Sequence, residues 1–117
     1  MKTLITILLL SLSSFAQTFV GSADDNAFFI DQVKKKKGGV TFVLIQTPYQ
    51  FENGKVKPDP DNFIMGLFHA DCMSMDYFST DSTGKFDGVK GKVKETSGTA
   101  ESPMVIWYAI DAACKEK

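Results

Sequence analysis

The stretch "SPMVIWYAIDAACKEK" (residues 102–117) is where the apolar pattern of the chain changes period. Ile106, Trp107, Ile110, Ala113 and Cys114 fall at i, i+1, i+4, i+7 and i+8, which places them on one face of a helix. Ser102 has the chemistry of an N-cap and Pro103 suits the first helical position. Lys115 and Lys117 would sit at the negative end of the helix dipole. A short helix with one apolar stripe must bury that stripe against something.

The preceding sequence supplies the partner. "VTFVLIQTPYQ" (40–50) is rich in β-branched and aromatic residues and reads as a strand from Val40 to about Tyr49. Val40, Phe42 and Leu44 alternate with Val43 and Ile45, so both faces are apolar, as in a central strand covered on both sides. Thr18–Ser22 and Ala27–Ile30 read as a hairpin around Ala23-Asp24-Asp25-Asn26. "NFIMGLFHADCMSMDYFST" (62–80) is too long for one typical strand and is expected to split near Cys72. Phe51–Asn62 reads as a polar loop. The Gly-rich segment after Asp81 is expected to hold a hairpin, with Val89–Glu95 as a lysine-rich edge strand. Strands followed by one terminal helix give an α+β domain, an antiparallel sheet with the helix packed on one face.

The first sixteen residues differ from the rest. Lys2, the apolar run Leu4–Leu10 and the small residues Ser14 and Ala16 form the pattern of a secretory signal peptide, leaving a domain over residues 17–117. The run is too short for a membrane span, and no cysteine lies at the cleavage region to carry a lipid anchor. The protein is therefore expected to be exported, to the periplasm, the cell surface or beyond. Arginine is absent, and after loss of Lys2 the remaining 12 lysines face 14 acids. Without arginine or net positive charge, nucleic-acid binding is not expected.

Export gives the two cysteines a role. Cys114 lies on the apolar face of the predicted helix, and Cys72 shares a strand face with Ile64, Gly66, Phe68 and Ala70 by alternation. Both point into the predicted sheet–helix interface, where the small Gly66 and Ala70 would leave room for Trp107. A Cys72–Cys114 disulfide would staple the tail helix to the sheet.

Taken in order, "VGS", "FFID", a basic stretch before glycine, "VTFVLIQTPY", "FHADC" and "SPMVIWYAIDAAC" resemble the bacterial surface-adhesin protein E family across essentially the whole chain after residue 16. The resemblance implies a sheet of about six antiparallel strands, with the terminal helix held on it through Cys72 and Cys114. It also implies an exported, non-enzymatic binding protein whose partner is a protein, for some members a host matrix or serum protein, and which forms homodimers in some cases. The chain has Thr18-Phe19-Val20-Gly21 where members often carry a tryptophan, and Gln17 where lipid-anchored members carry cysteine.

Candidate binding residues are of two kinds. Lys34, Lys35, Lys36 and Lys37 form a basic run that suits a polyanion, an anionic lipid or an acidic partner, or else a solvated connection between strands. Phe63, Met65 and Leu67 alternate with the helix-facing set, with Met73, Met75 and Tyr77 continuing the stripe, so they line the sheet face away from the helix. They form a partner surface unless the Phe51–Asn62 loop buries them. Asp59 and Asp61 lack the spacing of a calcium loop, and His69 has no nucleophile motif beside it. No catalytic residue, metal or cofactor is expected. Two other classes share parts of the pattern. A cystatin-like protease inhibitor has the same helix-on-sheet architecture, but its Gln-x-Val-x-Gly wedge is absent; a small hydrolase would have to use His69.

Overall fold

A computed structural model describes residues 17–116; the segment read as a signal peptide lies outside the described residues. The chain folds as strands β1 (Thr18–Ala23), β2 (Asn26–Lys36), β3 (Gly39–Pro48), β4 (Phe51–Glu52), β5 (Lys55–Val56), β6 (Phe63–Asp71), β7 (Asp76–Phe86), β8 (Val89–Lys92) and β9 (Ser97–Thr99), and then helix α1 (Val105–Lys115). The main sheet is antiparallel throughout, in the order β1-β2-β3-β6-β7-β8, with β9 also on β7. It has six positions across. The last is split, since β8 pairs with the far half of β7 and β9 with the near half. A bulge at Asp81–Ser82 bends β7 between the two halves. Buried Ser79 bridges the gap, its Oγ accepting the Thr96 N–H at 2.9 Å while its own N–H donates to the Thr96 carbonyl at 2.8 Å.

Tight turns set the register. Asp24-Asp25, Asn53-Gly54 and Asp87-Gly88 each place both central residues at positive φ, the geometry of two-residue hairpins that matches strand twist. Asn53-Gly54 therefore turns the expected polar loop into the small β4–β5 hairpin.

Strand β3 is central, as its two apolar faces require. Val40 and Phe42 join the helix-side core with Ile30, Phe68, Ala70, Ala100, Ala109, Ile110 and Ala113. Phe42, Phe68 and Tyr77 stack across three strands there, with centroids 5.8 and 6.0 Å apart. Val43 and Ile45 join a second core on the opposite face with Ala27, Phe29, Phe63, Met65 and Leu67.

Helix α1 lies across β1, β2 and β3. It starts later than Ser102 and Pro103 imply. The Met104 N–H donates to the Glu101 carbonyl at 2.8 Å, so these residues form a turn containing a cis Ser102–Pro103 bond, and Met104 precedes the first helical residue without a side-chain cap. The stripe itself is as expected: Ala109, Ile110 and Ala113 are buried, and Ile106, Trp107 and Cys114 pack beside them. Cys114 is bonded to Cys72 with the Cα atoms 6.0 Å apart, tethering the end of the helix to the turn after β6. Gly66 serves a different neighbour from the one expected. A Cβ there would meet Ser82 Oγ at 2.8 Å, so glycine makes room for the β7 bulge, not for Trp107.

Candidate binding surfaces

The face of the sheet away from the helix decides where a partner can sit. Phe63, Met65 and Leu67 do lie on it, but all three are buried. They are not an exposed patch, because the Phe51–Asn62 segment folds back over the second core and Val56 packs against it. The fold-back is pinned by Thr47, whose hydroxyl donates to the Asn62 carbonyl at 2.9 Å and accepts the Asp59 N–H at 2.8 Å. Asp59 then accepts from the Asp61 N–H and the Asn62 side-chain amide. The "DPDN" carboxylate is thus a loop clasp. Among the described residues, no group of three or more metal-ligating side chains gathers. Met73, Met75 and Tyr77 do not extend the stripe either. Met73 is exposed in the β6–β7 turn, and Met75, at positive φ, leads Tyr77 onto the helix-side core.

The same clasp creates a surface that the strand pattern did not single out. The Asp87 N–H donates to Asn62 Oδ1 and the Gly88 N–H to the Asp61 carbonyl, so the β7–β8 tip is tied to the folded-back loop. The Tyr49 N–H donates to the Asp25 carbonyl, which ties the end of β3 to the β1–β2 turn. Three connections thus share one end of the sheet. They carry Tyr49, Phe51, Phe86 and Val89 at 46, 62, 52 and 70 % exposure. The sequence signal was present in Asn53-Gly54 and Asp87-Gly88: two-residue hairpins leave their flanking residues at the tips.

The other end of the second face is polar. Lys34–Lys36 lie within β2, not in a connection, and only Lys37 enters the turn with Gly38. The ladder aligns Lys34, Thr41, His69 and Phe78 across β2, β3, β6 and β7. The His69 ring stacks on Phe78 at 4.6 Å and 9°, and its Nε2 lies 3.1 Å from Thr80 Oγ1. Partial burial, reinforced by nearby Lys36 and opposed by Asp81, lowers its pKa and so favours the neutral imidazole. Next to this row, Asp31 pairs with Val43 and is buried, which raises the pKa of its carboxyl against the pull of the Gln32 N–H on Oδ1. Lys35 points to the helix side by alternation. The exposed Asp71 carboxylate accepts the Met73 and Ser74 N–H groups, which lowers its pKa and holds the turn before β7.

No protein-family model matches the chain, and no curated protein and no solved structure is significantly similar to it. Among the described residues, no helix is long and apolar enough to cross a membrane.

Proposed function

We propose that the protein is an exported, non-enzymatic binding module, resembling the surface-adhesin protein E family, that holds a protein partner through the loop end of its sheet. The observation that supports this most is the exposed set Tyr49, Phe51, Phe86 and Val89, carried on connections hydrogen-bonded to one another. Aromatic side chains on pre-ordered loops lose little freedom on docking and bury much apolar area, which is the economy of a protein-binding surface. The helix clamp and the disulfide agree with what the resemblance implies about architecture, and a disulfide persists in the oxidising compartments to which a signal peptide leads. The partner surface lies at the loop end and not on Phe63, Met65 and Leu67, which serve the core.

A Phe51→Ser/Phe86→Ser variant tests this reading. Both side chains are more than half exposed, so the fold survives their loss. Light scattering after size exclusion, on wild type and variant, shows whether the surface joins two copies. Interferometry against immobilised matrix and envelope proteins shows whether it joins another protein. Loss of association in the variant supports the reading; association that is absent in both forms, or equal in both, removes its basis.

A further inference from the structure

Asparagine before glycine is a reactive pair as well as a turn signal. The backbone nitrogen of the glycine can attack the asparagine side-chain amide, because glycine has no side chain to shield it. Of the three asparagines in the chain, Asn26, Asn53 and Asn62, only Asn53 precedes glycine. The fold separates them further. The Asn26 amide donates to the Asp24 carbonyl at 3.1 Å. The Asn62 amide is held at both ends, Nδ2 donating to Asp59 Oδ2 and Oδ1 accepting the Asp87 N–H. Ala27 and Phe63, which follow these two, are buried within strands. Among the described residues, neither the Asn53 side chain nor the Gly54 N–H has a hydrogen-bond partner. Both residues are exposed at the tip of the β4–β5 hairpin, and a Cβ on Gly54 would meet nothing within 4 Å. Asp87-Gly88 forms a similar turn, but its glycine N–H is tied to the Asp61 carbonyl at 3.0 Å.

We propose that Asn53-Gly54 is a site of spontaneous covalent modification, at which the folded protein converts Asn53 to isoaspartate and aspartate. The Gly54 nitrogen gives up its proton to solvent base and bonds to Asn53 Cγ. The Cγ–Nδ2 bond breaks, and the nitrogen takes up a proton and leaves as ammonia, which closes a five-membered imide. Water then opens the ring at either carbonyl. Water is the only co-reactant, and nothing is oxidised or reduced. Ring closure requires the turn to open, and only the pairs Phe51–Val56 and Glu52–Lys55 hold it. A hairpin of that size opens readily. In isoaspartate the main chain runs through Cβ and Cγ and is one methylene longer. The two-residue turn, with both residues at positive φ, cannot keep its register around that insertion. The β4–β5 ladder is then lost, and with it the placement of Phe51 at the loop end and of Val56 against the second core. The modification thus sets a lifetime on the loop-end surface. That consequence rests on the protein-binding reading of the loop end; the conversion itself does not.

The test reads the covalent change directly and involves no partner, so its outcome is independent of whether the loop end binds a protein. The exported protein is incubated folded, at physiological pH and temperature, and sampled over weeks. Peptide mapping by mass spectrometry follows each asparagine, and an isoaspartate-specific methyltransferase measures the isoaspartate formed. Asn53 should convert at least tenfold faster than Asn26 and Asn62 in the same sample, and faster still as the pH is raised. The same chain in urea gives the rate without any fold. Conversion at Asn53 no faster than at the other two asparagines overturns the proposal, as does conversion in urea with none in the folded protein. Amide exchange over residues 51–56 should accelerate at least fivefold in the isoaspartate form. The Asn53→Asp variant carries the new charge without the added methylene and should exchange like wild type. Unchanged exchange in the isoaspartate form would overturn the claim that the modification opens the hairpin.

Discussion

Removing the staple should cost this domain a large part of its stability. Cys72 and Cys114 are 42 residues apart, so the bond closes most of the second half of the described chain into a loop. Loop-closure entropy for that length is about 4 kcal/mol at 25 °C. A domain of about 100 residues has an unfolding entropy near 0.2 kcal/mol/K, so 4 kcal/mol corresponds to a fall in Tm of about 19 °C. Both cysteines are only partly buried, and truncating their sulfurs adds little cavity cost. The Cys72→Ala/Cys114→Ala protein should therefore still fold, since Ala109, Ile110 and Ala113 keep the helix on the sheet. It should melt about 19 °C below the oxidised wild type, and the wild type in reductant should melt within a few degrees of the variant. Thermal unfolding followed by circular dichroism measures all three. A fall of less than about 5 °C would mean that the unfolded chain is not constrained by this loop as reasoned. Free thiols at both positions in exported protein would refute the staple outright.

Two further perturbations probe the second face. Thr47→Val deletes the hydroxyl that holds Asp59 and Asn62, leaving a partly buried N–H and carbonyl without that partner, and should cost about 1 kcal/mol in urea unfolding. Amide exchange should accelerate over residues 51–61, and an unchanged midpoint would show that the fold-back is not held there. For Asp31, burial puts the folded pKa above the unfolded value, so its unfavourable effect is absent below about pH 3.9 and develops as pH rises towards the folded pKa. Asp31→Asn keeps an acceptor for the Gln32 N–H and should gain stability over wild type from acid to neutral pH. A stability gap that stays constant across that range would contradict this account.

Much of the architecture was legible because it rests on periodicity. The two-faced pattern of Val40–Ile45 required a central strand, and the stripe from Ile106 to Cys114 required a helix on a sheet. The cysteine pair followed from placing each residue on its face. The start of the helix was misread because Ser-Pro chemistry is shared by caps and turns, and the Met104–Glu101 hydrogen bond chose the turn. The lysine run looked like a connection because lysine is easily solvated, yet the Gln32 bulge lets β2 continue through it. The binding surfaces were the least legible. Alternation correctly put Phe63, Met65 and Leu67 on the far face, but whether that face is open depends on a loop pinned by hydrogen bonds that span twelve and fifteen residues, and Thr47 carries no local sign of pinning it. Likewise Lys34, Thr41, His69 and Phe78 meet only through the registers of three strand pairs.

The most direct test of the binding account is to place a photo-crosslinking amino acid singly at 51, 86, 92 and 97 in protein exported by living cells. Positions 51 and 86 lie at the loop end, while 92 and 97 lie on the lysine-protected edge formed by β8 and β9. The account predicts that 51 and 86 give a discrete cross-linked species, either to a second copy or to one partner protein, and that 92 and 97 give none. Cross-links of equal yield at all four positions, or cross-links from the edge alone, would contradict it.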